Sequence, residues 1–305
     1  MISFRYHLVS IVAVFLALAL GIVVGTTALN GPITKDLRNQ LHDAEHQRDA
    51  LNTQVKALQG QVDDAGQFAT TYGAQLVAGS LTGKTVLEIE LPGATSEMED
   101  GLSEQLSAAG AKIGGRVTIT DAYLDPSRGT GIISLATGEI HPVGWTAPPT
   151  SDAAKLGGSL LAYILLGKGQ GTDLTTVLGG FAGLHMVTSD RADITPSTTV
   201  IVIAHGGLAS REYAGAAEQA LVSELAAGGG HVVVAGDSAS ASKDGLISLV
   251  RASKTDRAAV STVDNASSPF GQVSAVLALA GATDGLVGHY GTEQNADALF
   301  PAPSK

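Results

Sequence analysis

Cysteine is absent from the 305 residues. That excludes a disulfide framework, a Cys-based zinc site and a thiol nucleophile, and it fits a compartment outside the cytoplasm, where stray thiols are a liability. Aromatic residues are scarce at 4%, so a core has to be built from Ala, Val, Leu and Ile. Basic charge is also scarce: 18 Lys and Arg against 29 Asp and Glu give a net charge of −11. No Lys/Arg-rich face of the kind a phosphate backbone requires is present, which argues against nucleic acid as a partner. Methionine beyond the first residue is confined to Met98 and Met186, so soft metal donors are few.

What is present begins with one long apolar run. From Leu8 to Leu29 the only polar side chains are Ser10, Thr26 and Thr27. At about 1.5 Å per residue, this run crosses a hydrocarbon core about 30 Å thick. It exceeds a secretory core of about 7–15 residues, so residues 1–30 read as a retained signal-anchor, although Thr26-Thr27-Ala28 resembles a poor cleavage site. Arg5 lies on one flank and Lys35 and Arg38 on the other, which leaves the Lys/Arg count equivocal for orientation. The very short leading tail favours a cytoplasmic N-terminus, with the remaining chain outside. Ala13, Ala17, Gly21 and Gly25 recur every fourth residue, a spacing that lets two membrane helices approach closely.

Residues 31–72 read as a coiled coil starting after Pro32 and fading at Gly66 and Gly73. Leu37, Ala44, Leu51, Leu58 and Ala65 take heptad position d, and Leu41, Arg48, Val55 and Val62 take position a. Val at a with Leu at d favours two parallel strands, and Arg48 restricts register at a cost in stability. The same strip suits a second copy of the chain or a heterologous partner helix. A single amphipathic helix lying on its own domain remains the alternative.

Residues 80–291 alternate apolar runs with helix-period segments. Strands are expected at 84–91, 116–120, 198–204, 231–237 and 259–263, and helices near 96–109, 152–166, 210–227 and 270–282. Continuously apolar strands are buried on both faces, which predicts an α/β domain with a mostly parallel sheet and Rossmann- or flavodoxin-like layering. The stretch 121–150 reads as loops and 292–305 as a flexible tail.

Several motifs invite chemistry. "AGSLTGKT" (78–85) fails as a phosphate loop, because only three residues part Gly79 from Gly83 and Lys84 leads into a strand. "HDAEH" (42–46) has the inverted zinc-protease pattern, yet the heptad puts His42 and His46 at b and f, on solvent and without a third ligand. Ser238, Asp264 and His289 follow the chain order of an α/β-hydrolase triad, with "AHGGLAS" (204–210) in place of an oxyanion turn. Ser240 stands where the nucleophile elbow needs its last glycine. No catalytic residue is therefore assigned. His185-Met186 is the one adjacent pair with copper-compatible donors, although neighbours in a strand point to opposite faces.

The opening "MISFRYHLVSIVAVFLALALGIVVG", the heptads, and the late motifs "STVD" (261–264) and "VGHYGT" (287–292) resemble the actinobacterial MctB-like family of copper-transport outer-membrane proteins. That family includes SteB-like septal envelope proteins. The resemblance implies an envelope protein acting in copper efflux and tolerance, or in septal cell-wall remodelling beside a regulated peptidoglycan hydrolase. Copper enters only through this resemblance, which carries no catalytic residues and leaves Asp264, Gly288, His289, Tyr290 and Gly291 as a motif of unassigned role. A single helical span encloses no channel, and the expected strands lack the alternation of an outer-membrane barrel.

Overall fold

The computed structural model describes residues 4–138, 141–191, 193–206 and 212–302, with side chains at all of these except 27–34, 36 and 212. The chain divides into two compact units, Met1–Asp64 and Ala65–Lys305.

The first unit is built on helix α1 (Phe4–Val77), whose last turns, from Ala65, belong to the second. The expected break at Pro32 and the fading at Gly66 do not occur. Proline removes one hydrogen bond from a helix interior, but the Leu-, Gln-, Lys- and Arg-containing sequence that follows propagates a helix already nucleated. Gly73 has a packing role instead of a terminating one. A Cβ there would lie 2.8 Å from Val273 and 3.2 Å from Gln105, so only glycine permits the approach.

The second unit is a seven-stranded sheet: β1 (Thr85–Glu90), β2 (Lys112–Ile119), β3 (Val187–Ser189), β4 (Thr199–Ala204), β5 (His231–Gly236), β6 (Val260–Val263) and β7 (His289–Tyr290). Their spatial order is β3-β2-β1-β4-β5-β6-β7. All neighbours pair in parallel except β2 with β3, which is antiparallel. Strand order reverses between β1 and β4, which opens a crevice at their carboxyl ends.

Successive residues of each central strand enter two different cores. Leu87, Val200, Val202, Val232 and Val234 face α3 (Gly129–Thr137), α4 (Ala153–Leu165), α5 (Asp173–Gly183), α6 (Glu212–Ala227) and α7 (Leu246–Ala252). Val86, Ile201, Ile203, Val233 and Ala235 face α2 (Ser96–Ala108), α9 (Pro269–Thr283) and Val77 at the end of α1. Burial on both faces is why β4 and β5 read as nearly unbroken apolar runs, whereas β1 carries the buried Glu88, paired with Arg116. A short helix, α8 (Lys254–Arg257), leads into β6.

The stretch expected as loops holds real helix. Asp125 accepts a hydrogen bond from the Ser127 amide, Pro126 opens a 3-10 turn, and α3 follows, burying Ile132 and Ala136. Its start signal was present in the sequence, but α3 has only nine residues, too few to establish a period.

Candidate functional site

On α1, residues Phe4–Thr26 form a 23-residue segment, long enough to cross a membrane, whose most apolar 18-residue window has mean hydropathy 2.9 with none of it buried. The Thr26 hydroxyl bonds back to the Ile22 carbonyl at 2.9 Å and the Val23 carbonyl at 3.1 Å, so this polar group needs no water. A Cβ on Gly21 or Gly25 would meet nothing within 4 Å, so neither glycine is required by a contact within the chain. Ala13 and Ala17 complete that exposed row. Further along, Leu37, Leu41, Leu51, Val55, Leu58 and Val62 are each 52–66% exposed, and Ala44 and Arg48 are exposed beside them. The Arg48 guanidinium bonds to Asp49 on its own helix at 2.9 Å.

At the other end of the chain, Asp264, Gly288, His289, Tyr290 and Gly291 come together as a clamp around a buried arginine. Arg251 and Asp264 are 1% and 0% exposed and pair at 2.8 Å. Arg251 also donates to the Thr262 hydroxyl at 2.9 Å and to the Tyr290 carbonyl at 2.9 Å. Asp264 accepts from the Thr292 amide at 2.8 Å. The imidazole of His289 lies between Thr262 Oγ1 at Nδ1 (2.9 Å) and the Arg257 carbonyl at Nε2 (3.0 Å). Facing a carbonyl, Nε2 carries the proton, and Nδ1 accepts from the threonine hydroxyl. Burial lowers the pKa of His289, which keeps it neutral. A Cβ on Gly288 would fall 2.2 Å from the Tyr290 hydroxyl, and one on Gly291, at φ 128°, would fall 2.0 Å from Asp264. The motif is thus the geometry that lets β7 close on β6.

The segment from Thr292, expected as a flexible tail, is tied down as far as Ala298. Gly291 N–H donates to the Ala298 carbonyl, Asp297 pairs with Arg257, and the His289 amide donates to Asp297.

This arrangement does not assemble the hydrolase triad. Asp264 is committed to Arg251 and His289 to Thr262 and Arg257, while Ser238 is exposed in the turn after β5. Four residues of the expected oxyanion turn, 207–210, lie outside the described residues.

A different histidine and carboxylate do meet. His205, just after β4, bonds through Nδ1 to Asp237, just after β5, at 2.8 Å. Asp237 also accepts from the amides of Gly206 (3.0 Å) and Ser240 (2.8 Å). The pair sits at the carboxyl ends of the parallel strands, near the reversal of strand order. A Cβ on Gly93 would press on the imidazole at 3.0 Å. Sequence reading passed over it, because the two residues are separated by a whole β-α-β unit. The available signal was an acidic and an imidazole residue each ending a buried strand.

His185 and Met186 part company. His185 adopts φ 58° in the left-handed turn that ends α5, with its amide bonded to Ala182 and that of Met186 to Phe181. This is the Schellman pattern, and it buries Met186 in the core while His185 stays in solvent. The pair is therefore not in a strand, as the sequence suggested, and its donors still diverge.

A family model described as "Copper transport outer membrane protein, MctB" matches residues 1–301. The chain belongs to the MctB family. The copper transporter MctB of Mycobacterium tuberculosis (strain ATCC 25618 / H37Rv) is 29% identical over 307 residues, covering 97% of this chain and 98% of the relative. That of Mycobacterium leprae (strain TN) is 27% identical over 313 residues, covering 98% and 99%. In this MctB-family chain the described strands form one open sheet with edges at β3 and β7, and Phe4–Thr26 is the one described helix fit to span a membrane.

Proposed function

We propose that this chain is a single-pass, non-catalytic protein of the cell envelope, acting in copper homeostasis, that pairs with a second copy through its span and heptad strip. Its N-terminus lies in the cytoplasm and its head, a Rossmann-like domain, lies outside. The observation that carries this reading is the open row of a and d side chains on α1, placed directly after a membrane-length segment. Exposed Leu and Val at a 3.5-residue repeat bury nothing within the chain, and a second helix in register covers them. The copper role follows from the named function of the relatives. A single helix encloses no pore, so the chain supports transport as an accessory and not as a channel.

A septal scaffold that regulates a peptidoglycan hydrolase is the second reading. Arg48 favours it: an identical copy sets a like charge against Arg48, whereas a heterologous helix offers a carboxylate. Cross-linking and pull-down from membranes decide between the partners. Because the chain lacks cysteine, a single Leu51→Cys substitution reports self-pairing as a disulfide-linked dimer. Failure to form that dimer, with capture of a different coiled-coil protein, overturns self-pairing. Copper sensitivity on gene deletion supports the first role, and chained cells with unchanged copper tolerance support the second.

A further inference from the structure

Of the eight histidines, His289 is bound on both ring nitrogens and His205 is held by Asp237. His42 and His46 differ from these. They lie one turn apart on α1 with ring centroids 4.6 Å apart and planes tilted by 39°. Among the described residues, this is the one contact between two imidazoles. The His42 side chain is 71% exposed, and its Nδ1 lies 3.8 Å from Glu45 Oε2.

We propose that His42 and His46 form a two-imidazole chelate for a divalent transition-metal ion, cupric ion foremost. Two histidines four residues apart on a helix project from one face, and the helix fixes their separation before any ion arrives. No group of three or more His, Asp or Glu among the described residues forms a ready cage, so the remaining positions belong to water. Two imidazoles with water are a borderline donor set. Among divalent ions, affinity for such sites peaks at Cu²⁺. Cuprous ion has no comparable place here, because cysteine is absent and both Met98 and Met186 are buried.

The two histidines occupy heptad positions b and f, away from the a and d row. The site therefore stays open whether or not α1 is paired, and each copy carries its own. It is a binding site and not a catalytic one, since nothing excludes water from it.

The test uses the full-length chain in detergent, titrated with cupric ion against glycine as competitor and read by electron paramagnetic resonance. The expected result is one site per chain with nitrogen splitting from two imidazoles, and weaker binding of zinc. His42→Gln or His46→Gln should each weaken cupric binding by more than about tenfold while leaving helicity unchanged. A spacing control, His46→Gln with Gln47→His, keeps the number of histidines but moves one off the face, and it should fail as His46→Gln does. Equal binding by the wild type and the His42→Gln/His46→Gln variant overturns the proposal. So does wild-type binding by the spacing control, or no binding against glycine.

Discussion

The two units of this chain obey opposite rules for their side chains. In Met1–Asp64, large apolar residues are exposed, and a Cβ on the described glycines Gly21, Gly25 and Gly60 would meet nothing within 4 Å. In Ala65–Lys305, even a guanidinium is buried with its hydrogen bonds made inside the fold. The exposed heptad row lies on the helix, and the head carries a crevice at its reversal of strand order.

The largest test of this contrast is Asp264→Ala. Removing the carboxylate leaves Arg251 charged and buried, which costs about 3–5 kcal/mol. Urea unfolding followed by Trp145 fluorescence should show that loss, with the helical signal of α1 retained. An unchanged midpoint would mean that the clamp does not hold the head.

Glycine replacement extends the contrast to single methyl groups. Gly291→Ala meets Asp264 at 2.0 Å from a left-handed backbone, and overpacking of this kind costs about 1–3 kcal/mol. Gly60→Ala on α1 meets nothing within 4 Å and should stabilise the helix by up to about 1 kcal/mol. Thermal melts of the two variants should move in opposite directions.

A smaller effect comes from protons. Burial, together with the neighbouring Glu90, pushes the Glu99 carboxyl up to about 7, and burial alone pushes Glu218 up to about 7. Both values exceed the ordinary 4.5, so between these limits the folded head holds more protons than the unfolded chain. The stability these groups contribute is full below pH 4.5 and falls as pH rises through 7. Glu99→Gln and Glu218→Gln should each flatten that fall, and a head that gains stability across the same window contradicts the assignment.

The smallest effect on folding is expected from Leu51→Ser with Leu58→Ser. These exposed positions should change head stability by less than about 0.5 kcal/mol, yet remove disulfide capture through a cysteine placed at Val55. Destabilisation of the head instead would place the strip against its own domain.

The parts legible in the sequence were those in which local pattern and burial agree. β4 and β5 are apolar almost without interruption because helices cover both faces, and α2 announces itself through Thr95 at its cap and acidic residues in its first turn. The helix α5 escaped notice because its glycines dilute the period. β7 has two residues and exists only through its neighbours. Of the sites, Asp264 and His289 stood out only as a motif of unassigned role, because Arg251, which claims the carboxylate, looks like an ordinary helix residue. Buried charge is a property of the assembled fold, and no window of sequence displays it.

The end of α1 also determines how the protein can be divided. Ala69, Gly73 and Val77 belong to the interior that α2 and α9 complete. A protease or a designed truncation that removes the chain up to Gly79 would strip Val77 from that interior and uncover Val273 and Gln105. A separately expressed head has to keep its helix from Ala65 onward, so the last three turns of α1 are the first element of the globule.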